Sequence, residues 1–307
     1  MYKRYFPNSK ITFDEQMKNI SLVFINQHFT SSSIKPFLAN IIEIGGIHVQ
    51  EKKPLPKNIQ EYLDSADEGV VYFSMGSIIQ ATDWPVEKRE AFVEAFGKLK
   101  QKVLWKYENE TLPGNPGNIM IGSWLPQRDI LAHPNVKVFI THGGLLGTTE
   151  AVVEGVPVIG IPIYGDQQLN IQKAAAAGYG VVLDFNTITE ESITKSLNEV
   201  LNNPSIASTA KSLSKRYSDR PMTPQKTAVY WTEYVIRHEG ASHLKSTALD
   251  LSFIQLHLID VYAVIIAILI CLLTLWGFII KLTIKKLFCN KKSNRQVKKN
   301  KVKAHLN

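Results

Sequence analysis

From Val70 onward, short unbroken runs of β-branched and apolar residues alternate with longer segments whose apolar positions recur at helical spacing. Unbroken runs mark strands buried on both faces, whereas a half-exposed strand alternates apolar with polar. The pattern predicts strands over Val70–Phe73, Val103–Tyr107, Ile119–Ile121, Val136–Thr141, Val156–Ile161 and Val181–Asp184. Helices are expected over Pro85–Leu99, Pro126–Ala132, Leu145–Glu154, Leu169–Ala177, Glu190–Asn202, Ser205–Tyr217 and Pro224–Arg237. In the first of these Phe92, Phe96 and Leu99 share one face, and Asp83 stands near its start as a cap. Thr187 and Glu190 form a candidate capping box, and Thr223 caps the last helix with Gly240 past its end. Upstream, Ile20–Asn26 and Ile41–Val49 read as two more strands, the second broken by Gly45-Gly46. Ser31-Ser32-Ser33 and Pro36 are loop between them, and Glu51–Lys57, with Pro54 and Pro56 among lysines, reads as a linker.

Strands alternating with helices imply a parallel sheet covered on both faces, an α/β domain of Rossmann-like build. A chain of 307 residues has room for one or two cores. Val261–Ile280 stands apart: 20 uncharged, almost wholly apolar residues, enough to span a bilayer as a helix. Lys281, Lys285, Lys286, Lys291 and Lys292 follow at once, which predicts a cytosolic C-terminus and places residues 1–260 in a lumen or outside the cell. Asn19-Ile20-Ser21 and Asn109-Glu110-Thr111 are glycosylation acceptors compatible with that side.

The net charge of +8 first points to nucleic acid, but its distribution excludes that reading. Residues 281–307 hold ten of the 35 basic residues and no acid, which leaves 25 bases against 27 acids elsewhere, about −2. The basicity is a tail. The cysteines, Cys271 and Cys289, lie in the apolar segment and the tail, so the body has no disulfide framework and no cysteine zinc site. Cys289 is a candidate for palmitoylation beside the membrane. Met1-Tyr2-Lys3-Arg4-Tyr5 leads into no apolar run of the signal-peptide kind. The expectation is therefore a fragment, an alternative product, or insertion directed by Val261–Ile280.

Candidate chemistry concentrates between Trp124 and Gln167, where two strand-to-helix units follow one another. Ligands of open α/β sheets sit at the carboxyl ends of strands, where helix N-termini attract anions. The strand Val136–Thr141 ends at His142-Gly143-Gly144, and glycines there let the backbone approach a phosphate closely. Glu150, two turns into the following helix, is placed to accept from a ribose hydroxyl. The second strand ends at Pro162 and opens into Tyr164-Gly165-Asp166-Gln167. A further small-residue loop, Ser74-Met75-Gly76-Ser77, closes the strand Val70–Phe73.

The spacing of Trp124, Gln127, Thr141-His142-Gly143-Gly144, Glu150, Pro157, Pro162 and Asp166-Gln167 resembles the donor-binding pattern of the UDP-glycosyltransferases. That family includes the animal UDP-glucuronosyltransferases. The resemblance runs without gaps through the motif and extends from about Ile20 to the membrane segment. It implies the donor domain of a two-domain GT-B fold, with residues 59–240 binding a UDP-sugar. Residues 1–50 would be a remnant of the acceptor domain and 51–58 the crossover. Residues 241–260 would be juxtamembrane, 261–280 the transmembrane helix and 281–307 the tail.

The resemblance also implies roles. Trp124 would stack on the uracil, while Gln127 and Glu150 would meet the ribose. His142, with the amides from Gly143 and Gly144 through Gly147 and Thr148, would hold the diphosphate leaving group, helped by Gly76 and Ser77. Asp166 and Gln167 would bind the sugar hydroxyls. Some members carry serine where this chain has Gly147. The implied reaction transfers glucuronic acid or glucose to a hydroxyl of a small lipophilic acceptor, with inversion. It needs neither cofactor nor metal, and no Asp-x-Asp occurs. Its histidine–aspartate base belongs to the early acceptor domain, so no catalytic residue is assigned; His28 and His48 lie too near the crossover. The implied setting is the endoplasmic reticulum membrane, with related transferases as oligomeric partners. The alternatives are a truncated, non-catalytic chain that binds UDP-sugar and modulates full-length partners, and a dinucleotide oxidoreductase. The oxidoreductase fails for want of any Gly-x-Gly-x-x-Gly after a strand.

Overall fold

The computed structural model describes residues 1–32 and 34–304, with side chains as far as Phe288. Ser33, Cys289, Lys291 and Lys292 therefore lie outside the residues described in full. The first of two units, Met1–Leu244, begins with two short helices, α1 (Tyr2–Tyr5) and α2 (Phe13–Lys18). A parallel strand pair follows, β1 (Val23–Ile25) and β2 (Ile41–Glu43), both shorter than their apolar runs predict.

Then comes α3 (Lys57–Asp64), which starts inside the stretch expected as linker and buries Ile59 and Leu63. The main sheet is built from β3 (Val70–Ser74), β4 (Lys102–Lys106), β5 (Ile119–Gly122), β6 (Val136–Thr141), β7 (Val158–Gly160) and β8 (Gly180–Val182). Its helices are α4 (Val86–Gly97), α5 (Gln127–Leu131), α6 (Leu145–Glu154), α7 (Gln167–Ala176), α8 (Glu190–Asn202), α9 (Pro204–Ser218) and α10 (Pro224–Arg237).

All neighbouring strands are parallel, in the order β5-β4-β3-β6-β7-β8. The chain winds outward from β3 in one direction and from β6 in the other, so the order reverses between these two strands. Ser74 is registered opposite Thr141, and the loops after them leave the sheet side by side. Alternation along the strands separates two cores. Phe73, Trp105, Phe92 and Phe96 pack on one face, and Tyr72, Phe139, Ile130 and Leu63 on the other.

Two expected caps are replaced by neighbours. Thr189, not Thr187, caps α8 and forms its capping box with Ser192, because only a residue with extended backbone next to the first helical turn can turn its hydroxyl onto the third amide. Asp83 lies in a 3₁₀ turn, and α4 starts after Pro85 without a side-chain cap. Thr223 caps α10 as expected, accepting from the Lys226 amide.

Residues 40–50 pack onto the α9–α10 turn through Arg220. Its guanidinium donates to the carbonyls of Tyr217 and Gly45 and sits 4.8 Å over the Tyr217 ring. Arg220 thus bonds backbone carbonyls on both sides of the turn.

The second unit starts at Lys245 and holds α11 (Phe253–Leu256) and one long helix, α12 (Ile259–Ala304). Its portion Ile259–Phe288, 30 residues with a mean hydropathy of 3.0, is long and apolar enough to cross a membrane. Cys271 on it is a free, exposed thiol.

Candidate functional site

The reversal between β3 and β6 opens a cleft of about 670 Å³ at their carboxyl ends, within the usual range for ligand pockets. Eight of the twelve expected site residues border it: Gly76, Ser77, Trp124, Gln127, His142, Gly144, Gly147 and Glu150.

His142 is fixed between glycines. A Cβ on Gly76 would stand 2.7 Å from the ring's Cε1, and one on Gly144 would collide with its Nε2. Gly76 also has a φ of +81°, which favours glycine on its own account. Burial lowers the His142 pKa below the ordinary imidazole value, partly opposed by Asp166. The ring is therefore neutral near pH 7, with one N–H to offer; its Nδ1 is buried with no partner among the described residues. Beside it α6 starts at Gly144, and the amides of Leu145, Leu146 and Gly147 precede the first intrahelical bond, which runs from the Thr148 amide to the Gly144 carbonyl. Free N–H groups and the helix dipole make this end of the cleft a seat for an anion.

The opposite wall carries the polar chain expected for a ribose. The buried Tyr72 hydroxyl, its pKa raised by desolvation, donates to Gln127 Oε1 at 3.4 Å. Gln127 Nε2 in turn donates to Glu150 Oε2 at 2.6 Å. These partners fix the orientation of the amide, since a carboxylate only accepts and the protonated phenol donates. Trp124 stands at the rim with 76% of its surface exposed, unlike the fully buried Trp105. A core role for Trp124 is thereby excluded, and its ring face is free.

The other four expected residues do not border the cleft. Gly143, with a φ of +84°, turns its amide to Thr141 Oγ1 and its carbonyl to Asn170 Nδ2, at 3.3 and 2.9 Å. Thr148 is buried and its hydroxyl donates to the Gly144 carbonyl. Gln167 is buried, with Oε1 accepting from the Ile163 and Tyr164 amides at 2.8 and 3.0 Å. Asp166 is exposed and accepts from Asn170 Nδ2 at 3.0 Å.

Besides Tyr72, two residues in or beside the cleft were given no role in it from the sequence. Lys106, at the carboxyl end of β4, is buried in the cleft wall with its Nζ 2.8 Å from Glu108 Oε1; a lysine closing a buried apolar run was the available signal. His48 donates from Nε2 to the Leu146 carbonyl at 3.1 Å, and that nitrogen lies 4.0 Å from Glu150 Oε1. No periodicity in the sequence marks that contact.

The sequence profile described as "UDP-glucoronosyl and UDP-glucosyl transferase" matches residues 5–299. The chain belongs to this family. Among curated UDP-glycosyltransferases it is 47% identical to UDP-glycosyltransferase UGT5 of Dactylopius coccus over 301 residues, covering 97% of this chain and 57% of that protein. It is 36% identical to human UDP-glucuronosyltransferase 2B15, covering 94% of this chain and 53% of that protein. The chain thus spans somewhat over half the length of these relatives.

Among solved structures it resembles the glycotransferase of kitacinnamycin, with a TM-score of 0.55 at 20% identity over 69% of this chain and 55% of that one. It also resembles UDP-glucose:anthocyanidin 3-O-glucosyltransferase in complex with UDP, with a TM-score of 0.55 at 22% identity over 64% and 48% of the two chains. These likenesses establish the GT-B-like glycosyltransferase fold. Within the UDP-glycosyltransferase family the cleft described above is the candidate donor site.

Proposed function

We propose that the cleft binds a UDP-sugar and that the chain supplies the donor-binding half of a membrane-anchored transferase. The reaction read from the site moves glucuronic acid or glucose, with inversion, to a hydroxyl of a small lipophilic acceptor, using neither cofactor nor metal. The observation that carries this reading is the cleft itself: an exposed aromatic plate, an acceptor pair and an anion-seeking helix end face one space. Trp124 stacks on the base, and Glu150, held by Gln127, accepts from the ribose. His142 and the first amides of α6 take up charge on the diphosphate as it leaves, at little reorganisation cost because they are already oriented.

The UDP complex of the anthocyanidin glucosyltransferase supports the nucleotide assignment, the glucuronosyltransferase relatives support a transferase, and the apolar span Ile259–Phe288 supports a membrane anchor. In the proposed setting α12 crosses the endoplasmic reticulum membrane, the first unit is lumenal and the tail is cytosolic.

The placement of two histidines favours a second reading, in which the chain binds donor without a base of its own and modulates full-length relatives. His28 is buried against Tyr217 and bonded to Thr30 Oγ1, and His48 is engaged with α6, and neither borders the donor cleft.

Isothermal titration of the solubilised chain with UDP tests the site. Binding in the micromolar to millimolar range is expected. Trp124→Ala and His142→Ala should each weaken it about tenfold or more, since base–aromatic stacking and a charge-assisted hydrogen bond are each worth roughly 1–3 kcal/mol. Unchanged affinity in both variants would sink the assignment.

A further inference from the structure

The segment joining residues 1–50 to the main sheet is ordered along the donor-site helices, contact by contact. His48 meets Leu146 and Glu150 on α6. Lys52 Nζ lies 2.9 Å from Glu154 Oε2, one turn further along the same helix. The Lys53 amide donates to Asp129 Oδ1 on α5 at 2.7 Å. Positions 146, 150 and 154 are spaced by one helical turn each and form one face, so the strap follows α6 from its anion-seeking end towards its C-terminus.

We propose that His48 is a positioning residue of the donor site: from this strap it holds Glu150 and the first turn of α6 in register for the ribose hydroxyls of the nucleotide. The inference rests on the donor-site reading given above. Its tautomer follows from its partner. A carbonyl only accepts, so the proton is on Nε2, and the same N–H faces the Glu150 oxygen that Gln127 leaves free. Glu150 is thus bounded on one side by a direct bond from Gln127 and on the other by the imidazole dipole. The residue also borders the cleft. Without His48 the carboxylate gains a rotamer that faces the strap, and the Leu146 carbonyl loses a partner that ties the helix end to residues 1–50.

The chain is titrated with UDP and with 2′,3′-dideoxy-UDP, which keeps the base and diphosphate but offers no ribose hydroxyl. His48→Phe, which fills the same space, should weaken UDP about threefold to tenfold, the range of one hydrogen bond, and leave the dideoxy ligand unchanged. His48→Gln, whose amide reaches the Nε2 position, should restore most of the loss. Lys52→Met on the same strap should leave both affinities alone while lowering the thermal midpoint. Equal weakening of both ligands by His48→Phe, or no weakening of UDP, overturns the inference. Failure of the unmodified chain to bind UDP would instead overturn the donor-site reading.

Discussion

Gly144→Ala isolates the demand that His142 places on its surroundings. The backbone at Gly144 has φ −59° and ψ 140°, which alanine adopts freely, so the substitution brings no torsional cost. What it brings is a methyl group in collision with His142 Nε2 and 3.0 Å from Cε1. The loop at Gly76 limits how far the ring can swing away, since even a Cβ there would stand only 2.7 Å from Cε1.

Overpacking of this kind costs about 1–3 kcal/mol. For a unit of this size each kcal/mol lowers the thermal midpoint by about 2–4 °C. UDP affinity should fall at least as far as in His142→Ala, because the displaced ring also blocks the anion seat. The collision has one partner, so removing that partner should remove the cost. In a His142→Ala background, Gly144→Ala should be near neutral, giving a coupling of about 1–3 kcal/mol between the two sites. Tryptophan fluorescence followed through urea unfolding of the four proteins measures it. Additive penalties would refute the account, since the glycine would then be needed for some reason other than the imidazole.

Two further outcomes follow from residues 20–50. Burial, with Arg220 nearby, holds the His28 imidazole at a pKa of about 4 against an ordinary 6.5. Below pH 6.5 the unfolded chain takes up a proton that the folded chain refuses until about pH 4, so stability present above pH 6.5 is lost as pH falls through that window. The loss is about 1–3 kcal/mol, and His28→Gln should flatten it relative to the unmodified chain in urea midpoints taken from pH 7.5 to 4.5; parallel curves would contradict the assignment. Arg220→Met removes the donors to the Gly45 and Tyr217 carbonyls and should cost about 1–3 kcal/mol. Limited proteolysis should then cut first within residues 20–50; an unchanged cleavage pattern would count against the clamp.

The sequence pattern was most legible in long, strongly periodic runs. The strand Val136–Thr141 and the helices Leu145–Glu154, Glu190–Asn202 and Pro224–Arg237 appear with the bounds that the sequence pattern predicts. In Pro224–Arg237 the periodic run and the Thr223 cap agree. Val156–Ile161 overshoots β7 because burial continues past the last ladder pair: Ile161 is fully buried yet lies beyond the strand. Lys57–Asp64 went unread because the prolines and lysines just before it, Lys52, Lys53, Pro54 and Pro56, outweigh the two residues, Ile59 and Leu63, that hold it to the core. Along the cleft, residues were legible when a loop at a strand's end carries them, as with Gly76 and His142. His48 was not, because what places it is the route of a strap across 98 residues of sequence to Leu146.

The seam between β3 and β6 also governs when the site exists. Ser74 and Thr141 meet only after the chain has closed a long loop around β4 and β5, and such non-local parallel pairing is slow and comes late in folding. Partly folded chains therefore lack the cleft, and any ligand of the cleft binds the native state alone. Mass action then makes that ligand a folding aid: at a hundred times its dissociation constant it shifts the equilibrium by about 2.7 kcal/mol. A chain newly delivered into a compartment rich in the cleft's ligand would be drawn toward its finished form by that ligand.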